Sequence, residues 1–181
     1  MKNLLFFGLV LFTLTAVNVS YASENPGEEN EKTAEAKEIR MNGDWYLYVE
    51  DAFAESKKSG NPIMANFTGS DWCGWCIRLK NEVFKTETFQ KWAKKNVVLL
   101  ELDYPRKKQL PEDLKAQNTS LQQAFQVSGY PTLWVFNLDF DEESKQFKID
   151  AIGKTGYVSG GADAWIGQTN LILESKKKKQ D

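Results

Sequence analysis

The chain has 181 residues, with 25 acidic and 23 basic side chains, no histidine and two cysteines. This length is enough for one domain with a single core, and a net charge of −2 does not indicate nucleic acid as a partner. The lack of histidine excludes a Ser-His-Asp triad, a Cys-His nucleophile pair and Cys/His zinc sites, and two cysteines alone do not complete a zinc site. We therefore expect neither a metal nor an organic cofactor.

The first 22 residues predict a signal peptide. Lys2 precedes an apolar run, and the small residues Ser20 and Ala22 suit cleavage before Ser23. The run is too short to favour a membrane helix, so we expect no membrane span after the signal is removed; an uncleaved anchor is the alternative. Cleavage removes Lys2 and no acidic residue, which changes the net charge to −3. No cysteine lies near the cleavage site, which excludes lipid attachment there.

The rest of the chain divides into three parts. Residues 23–40 are rich in charge and poor in apolar side chains, which predicts a solvated linker. Residues 41–175 carry the apolar periodicity of one folded domain. Residues 176–181 form a basic tail that we expect to be solvated, and contact with anionic lipid or an acidic partner is the alternative.

The first half of the domain alternates helices and strands. Residues 44–59 repeat apolar side chains at helical spacing, with Asp44 as a candidate cap. Residues 62–67 predict a buried strand, and a helix follows the cysteines. A second helical piece over residues 86–95 leads into a strand over residues 97–104. The two strands need a helical crossover between them, which predicts that they are parallel.

The second half of the domain opens with a polar segment over residues 105–118, which predicts a loop. A short helix over residues 119–129 follows, then strands over residues 132–139 and 145–153. A closing helix over residues 160–175 ends the domain. This order of elements is typical of an α/β fold.

The two cysteines, Cys73 and Cys76, lie at the predicted start of the helix that follows the first strand. Unpaired N–H groups and the dipole at a helix N-terminus stabilise a thiolate, so Cys73 is the predicted nucleophile. Cys76 lies one turn further on the same face, where it can resolve a mixed disulfide. Disulfides persist outside the reducing cytosol, so export favours a redox role for the pair. A static structural disulfide is the alternative, although so short a loop gives it little entropic value.

Two motifs carry a family resemblance: Trp72-Cys73-Gly74-Trp75-Cys76 after the buried strand, and Gly129-Tyr130-Pro131-Thr132 far downstream. Together they resemble the signatures of the thioredoxin-fold thiol-disulfide oxidoreductases, and the likeness runs from residue 45 to residue 173. The resemblance implies an α/β thioredoxin fold, with a central mixed sheet flanked by helices. It also implies that Pro131 is cis and that Tyr130 and Pro131 form a substrate-docking edge. The stretch FTGSDWCGWC is most similar to exported bacterial members, which implies a location in the periplasm.

Two positions depart from the cytosolic thioredoxins. Trp75 stands where they carry a proline, and Asn66 stands where they carry a buried aspartate, so water or another group has to serve Cys76 as proton acceptor. Asn66 either holds a water molecule or is a satisfied core amide. Trp72 and Trp75 either offer substrates an apolar surface or pack over the sulfurs.

The leading hypothesis is an exported thiol-disulfide oxidoreductase, a reductase or isomerase of protein disulfides, with Cys73 attacking and Cys76 resolving. It needs protein disulfide or dithiol substrates and a redox partner that resets the cysteine pair. The alternative is a non-catalytic thioredoxin-fold binding module with a structural disulfide. A thiol peroxidase is disfavoured because only Arg78 lies close to the cysteines as a candidate site arginine. Ser70 and Asp71 are candidate caps of the active-site helix.

Overall fold

The computed structural model of the protein describes residues 40–180, with side chains described up to residue 175. The predicted signal peptide, residues 1–22, and all but the last residue of the predicted linker, residues 23–40, lie outside the described residues. No helix within the described range is both long and apolar enough to cross a bilayer.

The centre of the fold is a mixed sheet of six strands. In chain order they are β1 (Met41–Asn42), β2 (Trp45–Tyr46), β3 (Ile63–Thr68), β4 (Val98–Asp103), β5 (Thr132–Asp141) and β6 (Gln146–Thr155). Their order across the sheet is β1-β2-β4-β3-β5-β6. β4 is parallel to both β2 and β3, whereas β5 is antiparallel to β3 and to β6. The predicted parallel pairing of the two central strands is therefore confirmed.

Helices pack on both faces of this sheet. They are α1 (Val49–Ser59), α2 (Gly74–Leu79), which continues as a π-helical turn (Lys80–Phe84), α3 (Glu87–Asn96), α4 (Glu112–Ala124) and α5 (Gly161–Gln180). Side chains alternate along β3, so Ile63 and Ala65 enter the core beside α1, while Met64 enters the core beside α2, α3 and α5. The expected thioredoxin fold, a central mixed sheet flanked by helices, is confirmed.

Several predicted boundaries differ from the structure. The predicted cap Asp44 is wrong: α1 begins after Tyr48, and Trp45 instead belongs to β2, where its ring packs on Phe84 at 5.0 Å.

The predicted loop over residues 105–118 is wrong from Glu112 onward, where α4 begins directly after Pro111. The predicted bounds of the short helix over residues 119–129 are wrong for the same reason, because α4 runs from Glu112 to Ala124. Only one face of α4 is buried, and its buried residues are Leu114 and the polar Asn118. Because a polar residue stands at a buried position, the sequence does not show a clear helical period.

The closing helix also extends further than predicted. α5 runs to Gln180 and so includes most of the segment that the sequence assigned to a solvated tail. That segment contains four consecutive lysines, and lysine is a good helix former, so the backbone can stay helical beyond the packed part of α5.

The sheet register brings the two sequence motifs to one edge. Thr68 at the end of β3 pairs with Asp103 at the end of β4, and Phe67 pairs with Thr132 at the start of β5. The segment after β3, the segment after β4 and the segment before β5 therefore leave the sheet at the same end. The first carries the cysteines and the third carries Pro131.

Candidate active site

The two cysteines form a disulfide at the start of α2, with Cα atoms 5.2 Å apart. Cys73 is the N-cap residue of that helix, and its Sγ accepts a hydrogen bond from the backbone N–H of Cys76 at 3.2 Å. The predicted place of Cys73 at the helix start is thus confirmed. The predicted capping by Ser70 and Asp71 is wrong, because the Ser70 hydroxyl donates to Asp103 at the end of β4 and the Asp71 carboxylate accepts from the backbone N–H of Arg106 after β4.

A tight turn places Cys73 at the helix start. The carbonyl of Gly69 accepts hydrogen bonds from the N–H groups of Trp72 at 3.3 Å and Cys73 at 2.9 Å. A Cβ atom on Gly69 would lie 2.5 Å from the ring of Trp72, so this position accepts only glycine without a shift of that ring. The turn explains why a glycine directly follows β3.

Both cysteines are largely buried, with 6% of Cys73 and 4% of Cys76 exposed. The side chains beside them on α2 are open to solvent, with Trp75 55% and Ile77 42% exposed. Exposed apolar side chains therefore lie beside the buried cysteines on α2.

Trp72 joins the first motif to the second. Its Nε1 donates a hydrogen bond to the carbonyl of Tyr104 at 2.8 Å, and its ring meets the ring of Tyr130 edge to face at 5.8 Å. The guanidinium of Arg106 lies 3.7 Å from the centroid of the Trp72 ring. Trp72 therefore contacts the segment after β4 as well as the segment before β5.

The Tyr130–Pro131 peptide bond is cis, as the resemblance implied. The ring of Tyr130 packs on Tyr104 at 5.2 Å, and its hydroxyl accepts a hydrogen bond from Nε2 of Gln122 at 2.8 Å. Burial raises the pKa of the Tyr130 phenol, and the Gln122 hydrogen bond opposes that rise. Tyr130 is thus fixed as a neutral phenol beside Trp72.

Trp75 borders the disulfide on its other side. Its ring packs on Tyr157 at 5.0 Å, and the guanidinium of Arg78 lies 5.5 Å from the Trp75 ring centroid. Glu82 accepts hydrogen bonds from the Tyr157 hydroxyl and from Nε of Arg78, each at 2.7 Å. The Tyr157 hydroxyl and then Arg78 lower the pKa of Glu82. Arg78 is therefore neutralised in place by an ionised carboxylate.

A cavity of about 240 Å³ adjoins Cys76, and Asn66, Lys80 and Glu101 are among the residues that line it. Asn66 is 5% exposed, and its Oδ1 has no hydrogen-bond partner among the described residues. The interpretation of Asn66 as a fully satisfied core amide is therefore wrong. Glu101, its register partner on β4, is 7% exposed and accepts a hydrogen bond from Nδ2 of Asn42 at 2.9 Å.

Sequence reasoning missed four residues of this site: Glu101, Asp103, Tyr104 and Arg106. All four lie at the end of β4 or just after it, and only the parallel pairing of β3 with β4 brings them to the cysteines. The sequence signal was the run Glu-Leu-Asp-Tyr at the end of a strand, because parallel strands end at a common edge. Within residues 40–180, no cluster of three or more acidic or cysteine side chains is arranged to hold a metal ion.

Comparison with known proteins gives the family. Residues 44–137 match the family described as Thioredoxin-like. The chain is 29% identical over 169 residues to "Disulfide bond reductase DsbH" of Chlamydia pneumoniae, a match that covers 93% of each protein. It is 28% identical over 144 residues to "Thioredoxin-related protein DsbJ" of the same organism, covering 78% of this chain and 40% of that protein.

A solved structure agrees with these relatives. The structure titled "DsbH Oxidoreductase" superposes with a TM-score of 0.62 at 28% sequence identity, covering 72% of this chain and 83% of that one. The family match spans more than half of the chain, and it includes β3, the cysteine pair, β4 and most of β5. The chain therefore belongs to the thioredoxin-like family, as a thiol-disulfide oxidoreductase of that fold.

Proposed function

We propose that this protein is an exported reductase of protein disulfides that works in the bacterial periplasm. One observation carries the proposal: Cys73 occupies the N-cap of α2, where its sulfur already accepts the N–H of Cys76. The same hydrogen bond stabilises a thiolate at Cys73 in the reduced protein. Similarity to a disulfide bond reductase over 93% of both lengths supports the direction of the reaction.

In the proposed reaction the Cys73 thiolate attacks one sulfur of a substrate disulfide. The S–S bond of the substrate breaks, one substrate thiolate leaves, and a mixed disulfide joins Cys73 to the other substrate sulfur. Cys76 then loses its proton and attacks the Cys73 sulfur, which releases the second substrate thiol. Two electrons pass to the substrate, and the protein is left with the Cys73–Cys76 disulfide. A separate redox partner then returns it to the dithiol.

The residues around the disulfide take the remaining proposed roles. Trp72 and Trp75 offer apolar surface on either side of the sulfurs, and Tyr130 with Pro131 forms the edge along which an extended substrate chain docks. Asn66 holds a water molecule in the cavity beside Cys76, because its Oδ1 lacks a partner among the described residues and the cavity is large enough for water.

The first test replaces each cysteine by serine. Cys73→Ser removes the nucleophile, so we expect it to abolish reduction of insulin disulfides. Cys76→Ser leaves the nucleophile but not the resolving thiol, so we expect a stable mixed disulfide that mass spectrometry detects and dithiothreitol reverses. Retained insulin reduction in the Cys73→Ser variant would refute the assignment.

The direction of the reaction has its own test. A reductase needs a strongly reducing couple, so we expect equilibration with glutathione to place the Cys73–Cys76 potential nearer ~−270 mV than ~−120 mV. A potential near ~−120 mV would identify an oxidant instead. Export is tested by N-terminal sequencing of the protein from the periplasmic fraction, where we expect the chain to begin at Ser23.

A binding module with a permanently closed disulfide is the second candidate, which the burial of both cysteines favours. Alkylation in a mildly reducing glutathione buffer separates the two. A catalytic pair opens and is labelled at Cys73, whereas a structural disulfide stays unlabelled in the folded protein.

A further inference from the structure

Three consecutive cations, Arg106, Lys107 and Lys108, follow β4 at the edge of the sheet where the disulfide lies. Runs of basic residues are ordinarily solvated surface. This run differs in two ways. Its backbone is hydrogen-bonded to the segment that precedes the cysteines, and the side chain of Arg106 lies on the ring of Trp72, next to Cys73.

Two carboxylates make that attachment. Asp71 accepts hydrogen bonds from the backbone N–H of Arg106 at 3.0 Å and of Lys107 at 2.7 Å. Asp103 accepts from the N–H and the hydroxyl of Ser70, and it also pairs with Nζ of Lys108 at 2.8 Å. Lys108 is therefore neutralised by its own carboxylate. Asp71 binds only the backbone of the other two residues, so their side-chain charges stay available.

Arg106 places one of those charges on the ring of Trp72, the residue next to Cys73. Its guanidinium stacks 3.7 Å from the centroid of the Trp72 ring, which in turn contacts Tyr130. Arg106 and Lys107 are both exposed, and neither has an ion-pair partner within residues 40–175. On the opposite side of the disulfide, Arg78 is already paired with Glu82. Positive charge without an ion-pair partner among the described residues is thus available on the Trp72 side of the disulfide.

We propose that this surface, Arg106 and Lys107 beside Trp72, selects substrate proteins that carry acidic residues next to the cysteine under attack. The inference rests on the proposed function. A chain docked along Tyr130 and Pro131 passes Trp72, where the carboxylate of a neighbouring Asp or Glu meets the guanidinium of Arg106. The protein as a whole is acidic, with a net charge of −2, so this local charge offsets a repulsion that acidic substrates would otherwise meet.

The test is a single-turnover reaction of the reduced protein with small peptide disulfides. The probes are symmetric disulfides of blocked peptides: Asp-Asp-Cys, Cys-Asp-Asp, Gly-Gly-Cys and Lys-Lys-Cys. Each turnover reduces one peptide disulfide to two thiols and oxidises the Cys73–Cys76 pair, so no added reductant is needed. Stopped-flow tryptophan fluorescence follows the reaction because Trp72 and Trp75 flank the disulfide that forms.

We expect at least one acidic peptide to react about fivefold faster than Gly-Gly-Cys at low salt, and Lys-Lys-Cys to react more slowly. Charge selection is screened by salt, so the acidic-to-neutral ratio should approach one in about 0.5 M sodium chloride. The ratio cancels any general change in the reactivity of Cys73. Equal rates for the acidic, neutral and basic peptides in the natural protein would overturn the inference.

The variant Arg106→Gln/Lys107→Gln should bring the low-salt ratio to about one. The control Lys94→Gln/Lys95→Gln removes the same charge from exposed positions at the end of α3 and should keep the ratio. Retention of the ratio in the first variant, or its loss in the control, would show that the selection does not depend on this surface. Failure of the natural protein to react with any peptide would instead refute the proposed reductase function.

Discussion

At the scale of single residues, Asn66 explains how this site differs from one with a buried acid on β3. Asn66 and Glu101 are register partners on β3 and β4, both are almost fully buried, and both line the cavity beside Cys76. Two carboxylates at these positions would repel each other in a region of low dielectric. The amide keeps the polar character of the cavity and leaves Glu101 as the one buried carboxylate among the described residues that line it.

The substitution Asn66→Asp tests this account. Burial and the nearby Glu101 raise the pKa of the new carboxyl above its unfolded value of ~3.9. The substitution therefore does not lower the free energy of unfolding below about pH 4. The loss grows as the pH rises and the buried carboxyl ionises less readily than in the unfolded chain, to about 1–3 kcal/mol at pH 7. Urea denaturation of the oxidised protein at pH 4 and pH 7 measures the difference.

The control for this prediction is Gln168→Glu, which makes the same chemical change at an exposed position of α5. We expect it to alter the free energy of unfolding by less than about 0.5 kcal/mol at either pH. An Asn66→Asp variant that is destabilised equally at pH 4 and pH 7 would contradict the electrostatic explanation.

The sequence predicted the reactive residues better than their surroundings. Cys73, Cys76 and Pro131 lie in local motifs, and the structure places all three at one edge of the sheet, with the expected cis bond. Arg106 and Glu101 had no local motif. Their places depend on which strand lies beside β3, and that is decided by packing between residues more than 30 positions apart.

At the scale of elements, the segment between β4 and α4 is fixed to the start of the active-site helix. Asp71 is the main attachment, and the backbone N–H of Arg106, assisted by that of Lys107, lowers the pKa of its carboxyl. The sequence predicted a loop here, which holds for residues 105–111. It did not predict that the loop is bound to the cysteine segment, because both partners are polar and distant along the chain.

The substitution Asp71→Ala should loosen that attachment. We expect faster amide hydrogen exchange at Arg106 and Lys107, whose N–H groups lose their acceptor, without a change in the exchange of β3. In the natural protein the pKa of Asp71 is lowered, so protection should be complete above its usual pKa of ~3.9 and be lost as the pH falls through the lowered value. NMR exchange measurements across that range follow both amides.

The matched control is Asp139→Ala, which removes an exposed carboxylate paired with Lys57 on the hairpin of β5 and β6. Exchange at Arg106 and Lys107 should not respond to it. If the Asp71→Ala variant exchanges at the natural rate, the carboxylate does not hold the loop. The selection of acidic peptides would then need another source of order at Arg106.

At the scale of the whole molecule, each face of the sheet carries its own hydrophobic core. One core lies beside α1 and α4, and the other joins α2, α3 and α5 around Trp165. The second core packs against α2, because Leu79 at the end of α2 and Val83 in the π-helical turn that follows are among its fully buried members. The position of the cysteines therefore depends on how α5 packs, although α5 lies at the far end of the chain.

Trp165 is the residue through which this dependence is best measured. It is fully buried, its ring packs against Phe84 and Phe89 at 5.7 Å each, and its Nε1 donates a hydrogen bond to the carbonyl of Gly156 at 3.0 Å. Trp165→Ala leaves a large cavity between the helices, so we expect a loss of about 3–5 kcal/mol in the free energy of unfolding. Trp165→Phe keeps most of the volume but leaves the Gly156 carbonyl unpaired, so we expect a loss of about 1–3 kcal/mol in the free energy of unfolding.

Urea denaturation of the oxidised proteins gives both values. The control is Leu171→Ala, at a 68% exposed position of the same helix, which should change the free energy of unfolding by less than about 0.5 kcal/mol. Equal losses of unfolding free energy in Trp165→Ala and Leu171→Ala would contradict the packing of α5 into the core that it shares with α2.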